Sequence, residues 1–111
     1  MISLVAVAIY AAAFQSAAAD ASRKEFTACL RQAVDKGKSE KVATPGFDAY
    51  LRAQCAPASA KFRDAMVSFD VKNKVPRKQA TSDAESQISD YYSETGERYK
   101  FQTETAGAKP Q

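Results

Sequence analysis

Apolar side chains follow a helical spacing along most of this chain, and no stretch shows the strict alternation of a β-strand. The first such run comes directly after Ser22-Arg23-Lys24-Glu25, in which Ser and Glu have the spacing of a capping box. A first helix is therefore predicted from Ser22 to at least Lys36, with Gly37 as its candidate end and a further turn at Lys38–Lys41 as the alternative. Its predicted apolar face consists of Phe26, Cys29, Leu30, Ala33 and Val34.

Two further helices are predicted in the middle of the chain. Thr44-Pro45 combines a helix N-cap with proline at the first helical position, so a second helix begins there. Pro57 is expected to end or kink this helix, and a third helix continues from about Ala58 until Pro76 terminates it. The second helix carries an apolar stripe of Phe47, Tyr50, Leu51 and Cys55, and the third carries Phe62, Ala65, Met66 and Phe69.

A fourth helix is predicted after a polar link at residues 77–81, and it begins with a second capping box at residues 82–85. Gly96 lowers helix stability by about 1 kcal/mol and marks a candidate break. Residues 102–111 have no apolar period and are predicted to be a disordered tail. The sequence therefore predicts an all-α fold, a small helical hairpin or bundle of three to four helices, in a single domain over residues 22–101. One face of the fourth helix carries Ala84, Ile88, Tyr91, Tyr92, Thr95 and Tyr99.

An uncharged apolar run of 13 residues, Ile2–Phe14, precedes this predicted domain. It is shorter than the roughly 20 apolar residues that a membrane-spanning helix needs, and small residues follow it, as in a secretory signal peptide. Residues 1–21 are therefore predicted to be a signal peptide, cleaved after Ala19 or Ala21, which places the protein in the periplasm or outside the cell. An uncleaved anchor and a buried apolar helix are the alternatives.

Cys29 and Cys55 are the only two cysteines. In an exported protein such a pair is typically a structural disulfide. The two residues are about equally far from the helix-breaking stretch at residues 42–46, so an antiparallel helical hairpin places them at the same height. After residue 19, Leu, Ile, Val and Phe number only thirteen, a thin core for one domain. By the chain-entropy estimate, the disulfide adds about 3.5 kcal/mol of stability.

Positive charge is concentrated before the predicted fourth helix. Residues 22–82 carry 13 basic and 6 acidic side chains, whereas residues 83–111 carry 3 basic and 6 acidic ones. The densest cluster is KNKVPRK at residues 72–78. One interpretation is a solvated helix end, because cations interact favourably with the dipole at a helix C-terminus. The other is an anion-binding segment for lipid headgroups or envelope polysaccharide, formed by Lys72, Lys74, Arg77 and Lys78. Nucleic acid is disfavoured because Phe69 is the only ring close by.

The fourth helix offers a second candidate surface. Tyrosine covers a core with its ring and reaches water with its hydroxyl, so packing of this helix on the hairpin explains its tyrosines without a partner. If the helix docks elsewhere, the same residues form a partner face, since interfaces favour Tyr and Arg. The candidate face consists of Tyr91, Tyr92, Arg98 and Tyr99. A homodimer is a further alternative, because two copies can share burial that a thin core leaves incomplete.

Composition argues against several catalytic chemistries. The chain has no His, which removes Ser-His-Asp and Cys-His pairs together with His-based metal sites. Its acidic residues are dispersed, and the sequence has no nucleophile elbow, phosphate-binding loop or metal motif. We therefore expect a small exported non-catalytic binding or accessory protein with an unidentified protein partner, no cofactor and no metal. The alternative function is an envelope-associated anion binder that acts through the basic segment.

Overall fold

Three α-helices form the chain in the computed structural model, which describes the backbone of residues 2–108 and the side chains of residues 17–104. Helix α1 covers Ile2–Ser39, α2 covers Thr44–Lys72 and α3 covers Arg77–Ala108. These residues contain no strand. The all-α prediction is therefore confirmed, with three helices, and the short turns between them make neighbouring helices antiparallel.

Helix α1 begins earlier than the sequence predicts. It is continuous from Ile2 through the predicted leader, and Ser22 is a buried residue in its interior rather than its N-cap. The preceding helical turns supply partners for the backbone N–H groups that Ser22 would otherwise cap. At its other end, α1 passes Gly37 and ends at Ser39. The side chains of residues 1–16 lie outside the described part of the chain, and removal of the leader remains a prediction.

The predicted second and third helices are a single helix, α2, which runs through Pro57. A proline inside a helix removes the hydrogen bond to the carbonyl four residues earlier, which here belongs to Ala53. Both residues are exposed, so water can replace the missing N–H donor. The prediction that Pro57 ends a helix is therefore wrong, and α2 ends at Lys72, before Pro76.

Helix α3 is longer at both ends than the sequence predicts. It begins at Arg77, so residues 77–81 are helical rather than a link, and the box at Ser82 lies inside the helix. Burial of Ala80 against the core anchors this first turn. The helix passes Gly96 without a break and includes residues 102–108, which corrects the predicted tail. Residues 109–111, and the side chains of residues 105–111, lie outside the described part of the chain.

Aromatic rings from all three helices meet in the core. The ring of Phe26 in α1 lies 5.9 Å from that of Phe62 in α2 and 5.3 Å from that of Tyr92 in α3, centroid to centroid. Such pairs stabilise by about 0.5–1.5 kcal/mol beyond the area that they bury. Small buried residues let α3 approach the other helices closely, namely Ala80 and Ala84. Around the rings pack Leu30, Ala33, Val34, Leu51, Met66 and Val67.

The predicted disulfide joins α1 to α2. Cys29 and Cys55 are bonded, with their Cα atoms 5.9 Å apart and 26 positions apart in sequence. Cys55 is fully buried, so the cross-link is part of the core. Closing a loop of this length restricts the unfolded chain, which is the source of the stability of about 3.5 kcal/mol expected for it.

Two contacts show that α1 and α2 run antiparallel. Cys29 is bonded to Cys55, and Glu25 forms an ion pair with Lys61 at 2.9 Å. In an antiparallel pair, each step forward along one helix is a step back along the other, as in these two contacts.

Candidate functional sites

The α2–α3 turn holds the four cations predicted to bind anions, and we call these residues the basic turn: Lys72, Lys74, Arg77 and Lys78. The backbone N–H of Asn73 donates to the carbonyl of Phe69 at 3.1 Å, and the Asn73 side chain donates to the same oxygen at 2.7 Å. Lys74 has a left-handed φ of 73°, which reverses the chain, and the N–H of Val75 donates back to Asp70 at 2.9 Å. These bonds hold the basic turn in one conformation.

All four cations of the basic turn are exposed, and none forms an ion pair with the described residues. Lys72 ends α2, where positive charge is favourable. Arg77 and Lys78 instead occupy the first turn of α3, where free N–H groups already create a positive potential. The interpretation that the cluster stabilises a helix C-terminus is therefore wrong for these two residues. The fold leaves the positive charge of the basic turn unpaired within the described chain.

The tyrosines of the predicted partner face are mostly turned into the core. Tyr92 is 3% exposed and Tyr99 is 1% exposed. Tyr92 lies edge-on to Phe26, and Tyr91 is half-buried beside the same ring, 5.6 Å between centroids. Of the four predicted residues, only Arg98 is exposed. Packing of α3 on the α1–α2 hairpin thus accounts for these tyrosines, and the face does not form a single accessible surface.

A groove of about 390 Å³ lies between α2 and α3. The guanidinium of Arg52 lies 4.5 Å from the centroid of the Tyr92 ring, and its Nε donates to Asp48 at 3.0 Å. Farther along α2, Arg63 lies 4.0 Å from Glu85. Each guanidinium therefore has an acidic neighbour, unlike the cations of the basic turn. This groove was not predicted from the sequence. The pattern that marks it is a stripe of small residues between the two arginines: Ala56, Ser59 and Ala60.

Two tyrosine hydroxyls have a raised pKa. Burial raises the pKa of Tyr99 above its usual 10.0. Burial also raises the pKa of Tyr50, and the Glu40 carboxylate, which accepts a hydrogen bond from the Tyr50 hydroxyl at 3.2 Å, raises it further. Both hydroxyls are therefore protonated hydrogen-bond donors at neutral pH.

The described residues also include no cluster of three or more side chains able to hold a metal ion. In the same part of the chain, no helix combines the length and the hydrophobicity that crossing a membrane requires.

Comparison with protein-family models, curated proteins and solved structures found no match to this chain. The fold itself defines a class, a three-helix bundle with one disulfide between its first two helices. Function must therefore be argued from the surfaces and pockets of this bundle.

Proposed function

We propose that this chain is an exported, non-catalytic binding protein that contacts anionic surfaces of the cell envelope through the basic turn. The observation that carries the proposal is the position of Arg77 and Lys78 at the N-terminus of α3, beside Lys72 and Lys74. Each cation that opposes a helix dipole destabilises by about 0.3–1 kcal/mol. An anion bound at this turn would interact favourably with all four cations and with the free N–H groups of α3.

One feature supports export. The Cys29–Cys55 disulfide is of a kind that forms and persists in oxidising compartments. Within the described side chains, cleavage at either predicted point would remove one buried residue, Ala19.

The proposed ligand is an array of anionic groups, either phospholipid headgroups or acidic polysaccharide. Four cations within seven residues at an exposed turn can face one surface together. Each Lys or Arg near an anionic membrane contributes about 1 kcal/mol, and salt screens this attraction. Single-stranded nucleic acid is disfavoured because Phe69, the ring nearest in sequence, is half-buried and offers a poor stacking platform.

Vesicle adsorption tests this proposal. We expect the chain without its leader to co-sediment with vesicles that contain phosphatidylglycerol and to remain in solution with pure phosphatidylcholine. Raising the ionic strength from about 0.01 M to about 0.1 M shortens the Debye length from about 30 Å to about 10 Å, and adsorption should fall at least tenfold. Neutralising the basic turn by glutamine at all four positions should lower the adsorption constant by roughly two to three orders of magnitude at low salt.

A matched variant distinguishes loss of the basic turn from a general loss of positive charge as the cause of weaker adsorption. Glutamine at four other exposed cations produces the same net charge, and this variant should adsorb far more strongly than the basic-turn variant. Equal losses in both variants would contradict the proposal. Binding of dextran sulfate by a protein that does not adsorb to anionic vesicles would identify polysaccharide rather than lipid as the ligand. The four control positions are Lys24, Arg31, Lys36 and Arg98.

A further inference from the structure

Both predicted cleavage points of the leader lie in the interior of helix α1. The first bond, Ala19–Asp20, joins a residue that is 8% exposed to a residue on the surface. The second bond, Ala21–Ser22, joins a residue on the surface to one that is 4% exposed. Each of the two bonds therefore has one end buried in the bundle.

The surroundings of Ala19 come from all three helices. A cavity of about 230 Å³ has a lining that combines Ala19 and Arg23 of α1 with Met66 and Phe69 of α2 and with Ala84 of α3. Met66 and Ala84 belong to the hydrophobic core. The burial of Ala19 therefore depends on the docking of α1 against the other two helices.

Ala19 is a recognition residue for both cleavage points. A signal peptidase recognises small side chains one and three positions before the bond that it cleaves. For the first bond these residues are Ala19 and Ala17, and for the second bond they are Ala21 and Ala19. Burial of this one side chain therefore hides a required contact at both bonds.

The backbone around these bonds is also in the wrong conformation for cleavage. Residues 17–22 are helical, whereas a peptide that binds in extended form needs free N–H and C=O groups. The guanidinium of Arg23 pairs with Asp20 at 2.7 Å and lies 5.3 Å from the ring centroid of Phe62, which is fully buried. Unwinding of this part of α1 breaks these contacts together with the hydrogen bonds of the helix.

We propose that folding of the bundle blocks removal of the leader, so that the chain is cleaved only while α1 is undocked. This inference rests on the export proposed above, because it concerns a chain that carries a leader. In the folded protein, cleavage is limited to the small population in which residues 17–22 are open, and its rate follows that population. Cleavage therefore precedes folding, and a chain that folds first keeps its apolar run Ile2–Phe14.

Two proteases test this inference on the purified full-length chain. One is a bacterial signal peptidase, and the other is elastase, which also cleaves after small residues but does not require a leader. The oxidised wild-type chain is compared with reduced and alkylated Phe62→Ala, whose lack of a cooperative transition in urea confirms that it is unfolded. Mass spectrometry follows cleavage within residues 17–21. We expect both proteases to cleave the unfolded chain at least about tenfold faster than the folded one.

A matched pair of oxidised variants links protection to the core. Phe62 is fully buried and Phe101 is 70% exposed, and neither belongs to the cleavage segment. Phe62→Ala removes the ring beneath Arg23 and should accelerate cleavage by both proteases, whereas Phe101→Ala should be as resistant as wild type. Equal rates in the two variants would overturn the inference.

The two proteases also distinguish failure of this inference from failure of the export proposal. Cleavage of the folded wild-type chain by the signal peptidase as fast as the unfolded chain would overturn the inference and leave export standing. Equal elastase rates within residues 17–21 in the folded and unfolded chains would also overturn it, because this part of α1 would then be open. An unfolded chain that elastase cleaves and the signal peptidase does not would contradict the leader itself, and both proposals would fail.

Discussion

Tyr99 connects all three helices through one side chain. Its ring stacks on Phe47 of α2, its hydroxyl donates to Val42 in the α1–α2 turn, and Gly37 of α1 lies close to both rings. Tyrosine meets both requirements of this position. Its ring is buried in the core, and its hydroxyl donates a hydrogen bond to the carbonyl of Val42, which lies in a turn outside the helices. Tyr99 was predicted to be either a core residue or a partner contact. Its ring is buried in the structure, so it is a core residue.

We expect Tyr99→Phe to lower the free energy of unfolding by about 1 kcal/mol near neutral pH, because the hydrogen bond is lost while the stack remains. The difference from wild type should shrink as the pH rises above 10. Burial raises the pKa of Tyr99 above its usual 10.0, so the hydroxyl ionises first in the unfolded chain, and its contribution is lost as the pH passes the folded-state pKa. Urea unfolding of both proteins at neutral and alkaline pH measures this. A difference that does not change with pH would contradict it.

At the scale of the helices, the two interior glycines of α1 and α3 have opposite surroundings. A Cβ atom added at Gly96 of α3 would meet nothing within 4 Å. One added at Gly37 of α1 would lie 3.0 Å from Cε1 of Phe47 and 3.4 Å from Cε1 of Tyr99. Gly37 is therefore needed for the close approach of α1 to the stacked rings, whereas Gly96 has no such packing role.

We expect Gly96→Ala to stabilise the protein by about 0.5–1 kcal/mol, since alanine is the better helix former. Gly37→Ala should destabilise it, because Phe47 and Tyr99 are stacked on each other and cannot both move away from the new methyl group. Thermal unfolding of the two variants provides the comparison. A rise in Tm for both variants would contradict this expectation, because it would show that the stacked rings can shift to admit the methyl group.

The helix boundaries differ from those that the local capping and proline signals predict, because tertiary packing outweighs these signals. Capping boxes at Ser22 and Ser82 and the proline at position 57 are typical of helix ends, yet all three lie inside helices. A cap improves a helix end but does not prevent the chain before it from being helical. At Ser82, burial of Ala80 extends α3 backward, and an isolated alanine in a polar stretch gives no periodic signal of this.

The whole molecule combines a thin core with one covalent link. The disulfide, the ring cluster around Phe26 and the Tyr99 contacts lie at successive levels along the bundle, so each level joins at least two helices.

We expect the protein isolated from the cells that make it to have a mass that lacks residues 1–19 or 1–21. It should react with a thiol reagent only after reduction, and reduction should lower the free energy of unfolding by about 3.5 kcal/mol. Intact-mass spectrometry before and after reduction and alkylation measures the first two properties, and urea unfolding measures the third. A full-length mass with two reactive thiols would contradict both the leader and the disulfide-bonded state.

The candidate sites were predictable to different degrees. The basic turn is visible in the sequence because its four cations are neighbours along the chain. A pocket lined by Lys38, Lys41, Val42, Tyr99, Gln102 and Thr103 was not predicted, because its lining comes from two segments that are distant in sequence and residues 102–111 were predicted to be disordered. The interval between Tyr99 and Gln102 places them on the same helical face, which is the one signal the sequence holds for it.

The sequence by itself determined the helical class, the pairing of Cys29 with Cys55 and the density of charge at residues 72–78, because each depends on spacing along one short stretch or on there being only two cysteines. The tertiary structure alone decided the helix ends, the inward direction of Tyr92 and Tyr99, and the opposition of Arg77 and Lys78 to the dipole of α3. These properties depend on which residues distant in sequence lie against each other. Burial and electrostatic potential are set by that arrangement in space, so a local pattern does not contain them.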